Sequence, residues 1–506
     1  MASVPAIPAR SRTSAPRRWV FRIAAVLLGL SVFGLAEAAC IIGGWGKPTD
    51  YPDPYVGFSA VHPLFVRNAD GRRFEIPKSR RQFFKPESFA ADKPPGTYRI
   101  FCFGGSTVQG RPYSTPTAFP TWLELSLNAG DSSRQWETVN CGGISYASYR
   151  LAPIVKECLN YEPDLFVICT GHNEFLEDRT YANIKYAPKL LAFPSRQLSR
   201  LRIVTLARAA VSRLAENAAE PVSEDRPILK GEVDALLDYR NGIRAYRRDP
   251  QWRAGVVRHF EFNLRRMIAI ASSQGVPVIL VLPPSNLRRC PPFKSEHKAG
   301  LSAAERKRMQ TLVVRARTLY HTDVAGAVSL LEQAVAIDDE YARSIYLLAT
   351  WYDAIWQRTG NTEMRSKARD AYRKARELDI CPLRMIAPLE AAMRRVAGQT
   401  GTPLIDAHAL LEADVPAGIL GDELLVDHIH PSPIKGHQKI ARALAKKLQE
   451  LGVFHPARDW ATNRQSAFQK HRDSLPDLYF PRGQRTLWAL REWAAGRADG
   501  PPIESR

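Results

Sequence analysis

The feature that most constrains the fold is a series of five short apolar runs, at 98–103, 138–141, 164–170, 276–282 and 402–405. The longer runs are apolar at nearly every position. A strand with one wet face alternates apolar and polar residues, whereas an unbroken apolar run belongs to a strand covered on both faces. Stretches with helical spacing separate or succeed these runs, at 118–128, 149–161, 258–273, 385–397 and 434–451. Buried strands alternating with helices predict an α/β fold with a parallel sheet between helical layers.

Hydrophobic residues make up 45% of the 506 residues, which supports a large core and excludes global disorder. Lysine and arginine exceed the acids by 71 − 51 = 20 charges. No nucleic-acid motif accompanies this excess, so it reads as affinity for anionic lipid headgroups or acidic polymers rather than for nucleic acid. The seven cysteines form no CxxC pair, and an odd number precludes complete intramolecular pairing. Cys102, Cys141 and Cys169 fall in the apolar runs and read as buried thiols.

Arg10, Arg12, Arg17, Arg18 and Arg22 precede an uncharged stretch at 23–35, and Ala36-Glu37-Ala38 comes next. A basic start, a short apolar stretch and small residues at a cleavage site fit a secretory signal. Extended through Ile41-Ile42, the stretch reaches the roughly 20 residues of an uncleaved anchor. A lipoprotein reading through Cys40 ranks below both, because Glu37 stands where a small or aliphatic residue belongs. A buried helix of a cytosolic protein is the plainer alternative. Both export readings place the remaining chain outside the cytoplasm, periplasmic or membrane-anchored.

The chain then divides into a leading segment at 43–97, a sheet domain at 98–300 and 381–455, a helical insertion at 301–380 and a basic tail at 456–506. In the leading segment, Asn68-Ala-Asp-Gly71 reads as a turn between short strands at 64–67 and 73–76. The insertion is alanine-rich. Leu348, Ala349 and Tyr352, then Ala368, Tyr372 and Ala375, have offsets similar to a tetratricopeptide repeat, with a linking loop about seven residues longer than standard. An earlier half-repeat falls at 325–336, and an ordinary helical hairpin is the alternative. So few repeats cannot bury a continuous core, so the insertion must dock on the sheet domain, and it is a candidate surface for a protein partner.

Three short motifs carry the chemistry. They are Gly104-Gly105-Ser106-Thr107, Gly171-His172-Asn173-Glu174 and Asp427-His428-Ile429-His430-Pro431. The first two come directly after strands and the third precedes the closing helix, so in a parallel sheet they meet at the carboxyl edge, where ligands bind. A serine hydroxyl needs a base to become a nucleophile, an imidazole can be that base, and a carboxylate can orient the ring. Ser106, His430 and Asp427 supply these groups. The Ser106 N–H and the Asn173 amide can hold the oxyanion of a tetrahedral intermediate. Each motif alone has a plainer reading: a capping pair, a turn, or a phosphate nest. Asp406 reads as the end of a strand and a cap for the segment after it, and His428 as a lining residue. The histidines lack ligand spacing with cysteine or acidic partners, so no metal and no cofactor is expected.

In these blocks the chain resembles the SGNH hydrolases, or GDSL-like esterases. Gly-Gly-Ser106-Thr stands for Gly-Asp-Ser, Gly-His-Asn173-Glu for Gly-x-Asn-Asp, and Asp427-x-x-His430 matches the last block. The resemblance covers 98–175, 276–284 and 402–450. It implies a flavodoxin-like three-layer sandwich, with Ser106 as nucleophile, His430 as base and Asp427 as its orienter. The family's glycine block departs: Asn140-Cys-Gly142-Gly143-Ile-Ser145 ends in serine. Its backbone donor to the oxyanion is Gly142, Gly143 or Ser145. The implied activity is an exported serine esterase acting on acetyl or short acyl esters of a small molecule or glycan. The alternatives are an O-acyltransferase with the same site, and a partner-recruiting protein whose esterase site is secondary.

Overall fold

The computed structural model describes residues 15–43, 45, 63–177, 201–203, 206, 233, 235–238 and 242–494. The start of the basic N-terminal segment and the polar stretch near 220–226 lie outside them. Contacts divide the chain into two units, Met1–Pro52 with Ala187–Ser223, and Asp53–Tyr186 with Glu224–Arg506.

In the first unit, α1 (Ala15–Ile42) is 28 residues long. The Glu37 carboxylate accepts the backbone N–H groups of Arg202 and Ile203 at 2.8 and 3.0 Å. Among the described residues no helix is long and apolar enough to cross a membrane. Most side chains of α1 before Ser31 lie outside those residues.

The second unit opens with a small antiparallel sheet, β1 (Val66–Arg67), β2 (Arg73–Glu75) and β3 (Ser88–Ala90), in that order. The turn at Asn68–Gly71 joins the first two strands as the sequence predicts. The third, three residues long, lacks a legible pattern. The Glu157 carboxylate accepts the N–H groups of Leu64 and Phe65 at 2.7 and 2.9 Å, which ties this sheet to the main domain.

The main sheet contains β4 (Thr97–Gly104), β5 (Gln135–Gly142), β6 (Leu165–Cys169), β7 (Val278–Leu282) and β8 (Leu404–Asp406). Its order is β5-β4-β6-β7-β8, and every pairing is parallel. Counted within the sheet this is the flavodoxin-like order 2-1-3-4-5, with the switch point at β4.

The unbroken apolar runs are explained by the two faces. Phe101, Phe103, Phe166, Ile168, Leu280 and Leu282 point into one core, against α4 (Ser148–Cys158), α5 (Pro250–Ser272) and α10 (Ala387–Thr400). Their neighbours Ile100, Cys102, Val167, Cys169, Ile279 and Val281 point into the other, against α3 (Phe119–Asn128), α12 (Lys435–Glu450) and α13 (Trp460–Asp473). Successive side chains of a strand face opposite ways, so a sheet buried twice needs apolar residues at every position. All seven cysteines are free and buried.

Helix α5 begins at Pro250 rather than near residue 258. Asp249 caps it by accepting the Trp252 N–H at 2.8 Å, and proline occupies the first helical position. The insertion forms two helical hairpins, α6 (Ala303–Leu319) with α7 (Val324–Ile337), and α8 (Ala342–Thr359) with α9 (Thr362–Glu377). The long loop expected in the second hairpin is absent. The extra residues lengthen α8, and only Gly360-Asn361 links it to α9. Leu287, Ala417 and Ile419 from the sheet domain join the core of the hairpins, and Arg288 Nε meets Asp353 Oδ2 at 2.7 Å. The tail packs back as α13 and α14 (Tyr479–Ala494).

Candidate active site

Strand β4 ends in Gly104-Gly105, and α2 (Ser106–Gln109) starts at once. The two glycines are required by close approach. A Cβ on Gly104 would lie 2.2 Å from the Cys169 carbonyl oxygen, and one on Gly105 would lie 2.5 Å from Asn173 Nδ2. Gly105 is the capping residue and Ser106 the first helical one. Ser106 therefore does not cap the helix with its side chain. Its hydroxyl is free for other work, and its N–H is among those a helix start leaves without an internal partner.

Ser106 Oγ lies 2.8 Å from His430 Nε2, and His430 Nδ1 lies 2.7 Å from Asp427 Oδ2. Asp427 Oδ1 also accepts the N–H groups of Ile429 and His430, both at 2.9 Å. The loop is thus folded around its own carboxylate. The three residues are 7%, 1% and 7% exposed for Ser106, His430 and Asp427. Burial pushes the Asp427 carboxyl up, but His430, His428 and the hydrogen bonds from His430 and Ile429 together outweigh it and hold it well below the usual range. Asp427 is therefore a standing anion beside the imidazole.

Asn173 lies just after β6. One N–H of its amide donates to the Tyr146 carbonyl at 3.0 Å, leaving the second without a partner among the described residues. The neighbouring Glu174 is fully buried and accepts both the N–H and the hydroxyl of Ser148, at 2.8 and 2.9 Å. It satisfies the start of α4, which has no cap of its own. It also clamps the 171–174 block to the loop that carries Ser145. Burial, opposed by those Ser148 bonds, raises the Glu174 pKa to about 7.

The glycine block leaves one of its three candidate donors available. Gly143 donates its N–H to the Gly104 carbonyl at 3.0 Å, which extends the β4–β5 ladder, and so it is withdrawn from the oxyanion set. Gly142 N–H is engaged by Asn140 Oδ1 at 2.9 Å. Ser145 N–H has no partner among the described residues, and the residue adopts φ +62°. The structure thus brings Ser106, Asp427, His430, Asn173 and Ser145 together and sets Gly143 aside. Asp406 ends β8 and caps α11 (Ala407–Glu412) by accepting the Ala409 N–H at 2.9 Å, as the sequence predicts.

Ser106, His430, Asn173 and Ser145 line a cavity of about 270 Å³, with Asp427 behind His430. His172 accepts the Met385 N–H at Nδ1, 3.1 Å away. Burial first, and then His428 and His430, holds its pKa well below normal, so the ring is neutral with its proton on Nε2. His428 also lines the cavity, and burial lowers its pKa to about 4. Among the lining residues that escape any local reading of the sequence are Arg111, Ala489, Leu490 and Trp493. The last three belong to α14. Trp493 Nε1 donates to Asp238 Oδ1 at 2.8 Å, and Arg491 donates to the Val426 carbonyl at 2.7 Å, which holds the helix against the site.

No family model matches the chain, and no curated protein is similar to it. Several solved structures are. A lipase/acylhydrolase from Enterococcus faecalis is 13% identical, with 71% of this chain and 99% of that one covered and a TM-score of 0.29. A catalytic mutant of an acetylxylan esterase from Geobacillus stearothermophilus is 12% identical, with 72% and 97% covered and a TM-score of 0.30. A protein described as lipolytic, of the G-D-S-L family, from Desulfitobacterium hafniense DCB-2 is 11% identical, with 68% and 98% covered and a TM-score of 0.28. Likenesses this slight carry no chemistry of their own, and the functional reading rests on the distances above.

Proposed function

We propose that this protein is a serine esterase of the SGNH type, cleaving short acyl esters through an acyl-enzyme. The observation that carries the reading is the continuous relay Ser106–His430–Asp427, with both links within hydrogen-bonding distance. His430 takes the Ser106 proton as Oγ attacks the ester carbonyl, and Asp427 stabilises the imidazolium that forms. The oxyanion meets the N–H of Ser106, the second N–H of Asn173 and the N–H of Ser145. His430 then returns the proton to the leaving alkoxide. Water, activated by the same ring, releases the acid. A cavity of about 270 Å³ suits an acetyl or short acyl group better than a long chain.

Ser106→Ala should abolish turnover of a chromogenic acetyl ester, and Asp427→Asn should lower kcat by about 10³–10⁴ with the fold intact. Wild-type rates in the Ser106→Ala protein would refute the reading.

Acyl transfer to a sugar hydroxyl is the second reading. It is favoured by the burial of Ser106 and His430 behind α14, which limits the approach of water. Product analysis with a glycan acceptor present separates the two. Export belongs to the same proposal, supported by the arginine-rich start and the apolar stretch after it. Fractionation of cells expressing the full chain checks it.

A further inference from the structure

Arg111 lies in the same cavity as Ser106, Asn173 and His430. Its backbone N–H donates to the Ser106 carbonyl at 3.0 Å, so it is fixed one short turn from the nucleophile. Its guanidinium makes no hydrogen bond and no ion pair among the described residues, and its Nε is buried without a partner. Buried or half-buried guanidinium groups are ordinarily paired, because an uncompensated charge withdrawn from water is costly. Neither nearby carboxylate bonds it directly: Asp427 Oδ2 is held by His430, and Asp238 accepts the Trp493 N–H at Oδ1. Burial lowers the Arg111 pKa while Asp427 and Asp238 oppose that effect, which leaves a cation facing an otherwise polar and apolar cavity.

We infer that Arg111 is a specificity residue that receives a carboxylate carried by the substrate, so that the natural ester is one of an acidic molecule, such as a carboxylate-bearing sugar. This rests on the esterase reading of the same cavity. The planar fork of arginine matches a carboxylate through two parallel N–H···O bonds. A dianionic phosphate fits less well, since Asp238 and Asp427 add negative charge around the guanidinium. The chain's net charge of +20 draws acidic molecules toward the protein in general, and Arg111 selects among them at the site.

The test compares 4-acetoxybenzoate with its neutral methyl ester. The wild type should favour the carboxylate in kcat/KM by about tenfold or more, Arg111→Gln should bring the ratio to about one, and Arg111→Lys should keep part of it. Calorimetric titration of 4-acetoxybenzoate into Ser106→Ala protein reads binding without turnover. Binding should be about tenfold tighter than for the methyl ester, and the difference should vanish in Ser106→Ala/Arg111→Gln. Circular dichroism and a thermal melt confirm that each variant is folded. Equal binding of the two esters, or a preference that survives Arg111→Gln, overturns the assignment. If neither ester is hydrolysed, the esterase reading falls, and the titration still decides the role of Arg111.

Discussion

The amide of Asn173 sits directly above Gly105: a Cβ added there would lie 2.5 Å from Asn173 Nδ2. The turn that presents Ser106 and the donor proposed for the oxyanion are thus packed with no space between them. Gly105→Ala should push the amide aside and lower kcat by about 10²–10³, the usual cost of one oxyanion donor. Kinetics on an acetyl ester check this, and a thermal melt should show a much smaller effect.

Glu174 ties stability to pH. Its folded pKa, about 7, lies above the ordinary 4.5, so the folded state binds more protons than the unfolded one between those values. Stability therefore falls as pH rises through that window. Glu87 is raised to about 7 by burial in the same way and adds a parallel slope. Glu174→Gln should reduce the slope without removing it. Urea midpoints at intervals between about pH 5 and 8 measure the difference.

Ser145 holds a left-handed backbone, φ +62°, a conformation that glycine adopts without steric cost. A side chain there costs about 1 kcal/mol. Ser145→Gly should recover roughly 0.5–1 kcal/mol, less what the unfolded chain gains in freedom. A denaturant midpoint shifted downward would show that the serine hydroxyl contributes more than the strain costs.

The helical hairpins are held to the sheet domain partly by Arg288 and Asp353. Asp353 is buried, and it also receives the Tyr372 hydroxyl at 3.4 Å. Asp353→Ala removes the buried partner of the guanidinium and leaves it Glu423, itself partly exposed, and should cost about 3 kcal/mol. Replacing both partners, Asp353→Leu with Arg288→Met, should restore most of that loss. Chemical denaturation of the three proteins measures both effects.

Much of the architecture was legible in the sequence because burial on both faces writes itself as unbroken apolar runs. The strands at 98–103, 164–170 and 276–282 are of this kind. Ser106, Asn173, Asp427 and His430 were legible because each sits beside a strand end or helix start that sequence order brings to one edge. Two sorts of feature escaped. Short or edge elements such as Ser88–Ala90 carry too few residues for a period to show. Leu490 and Trp493 acquire meaning only from packing across hundreds of positions, and Arg111, close to Ser106 in sequence, only from the cavity it enters, which no local pattern encodes. The start of α5 is a different matter. Asp249-Pro250 is a cap and first-turn pair that the sequence displays, but the hydrophobic period, which begins only near 258, does not point to it. Gly143 shows a further limit: a motif names the loop that could donate, but the sheet ladder decides which N–H is left over.

The wall that α14 contributes has a consequence in time. On the ribosome, Ser106, Asn173, Asp427 and His430 are all made before Leu490 and Trp493. A nascent chain, or one nicked beyond His430, would hold every reacting group in an unfinished groove. Completion of the groove is thereby placed in α14, and a fusion joined immediately after Ala494 would disturb that step before any other.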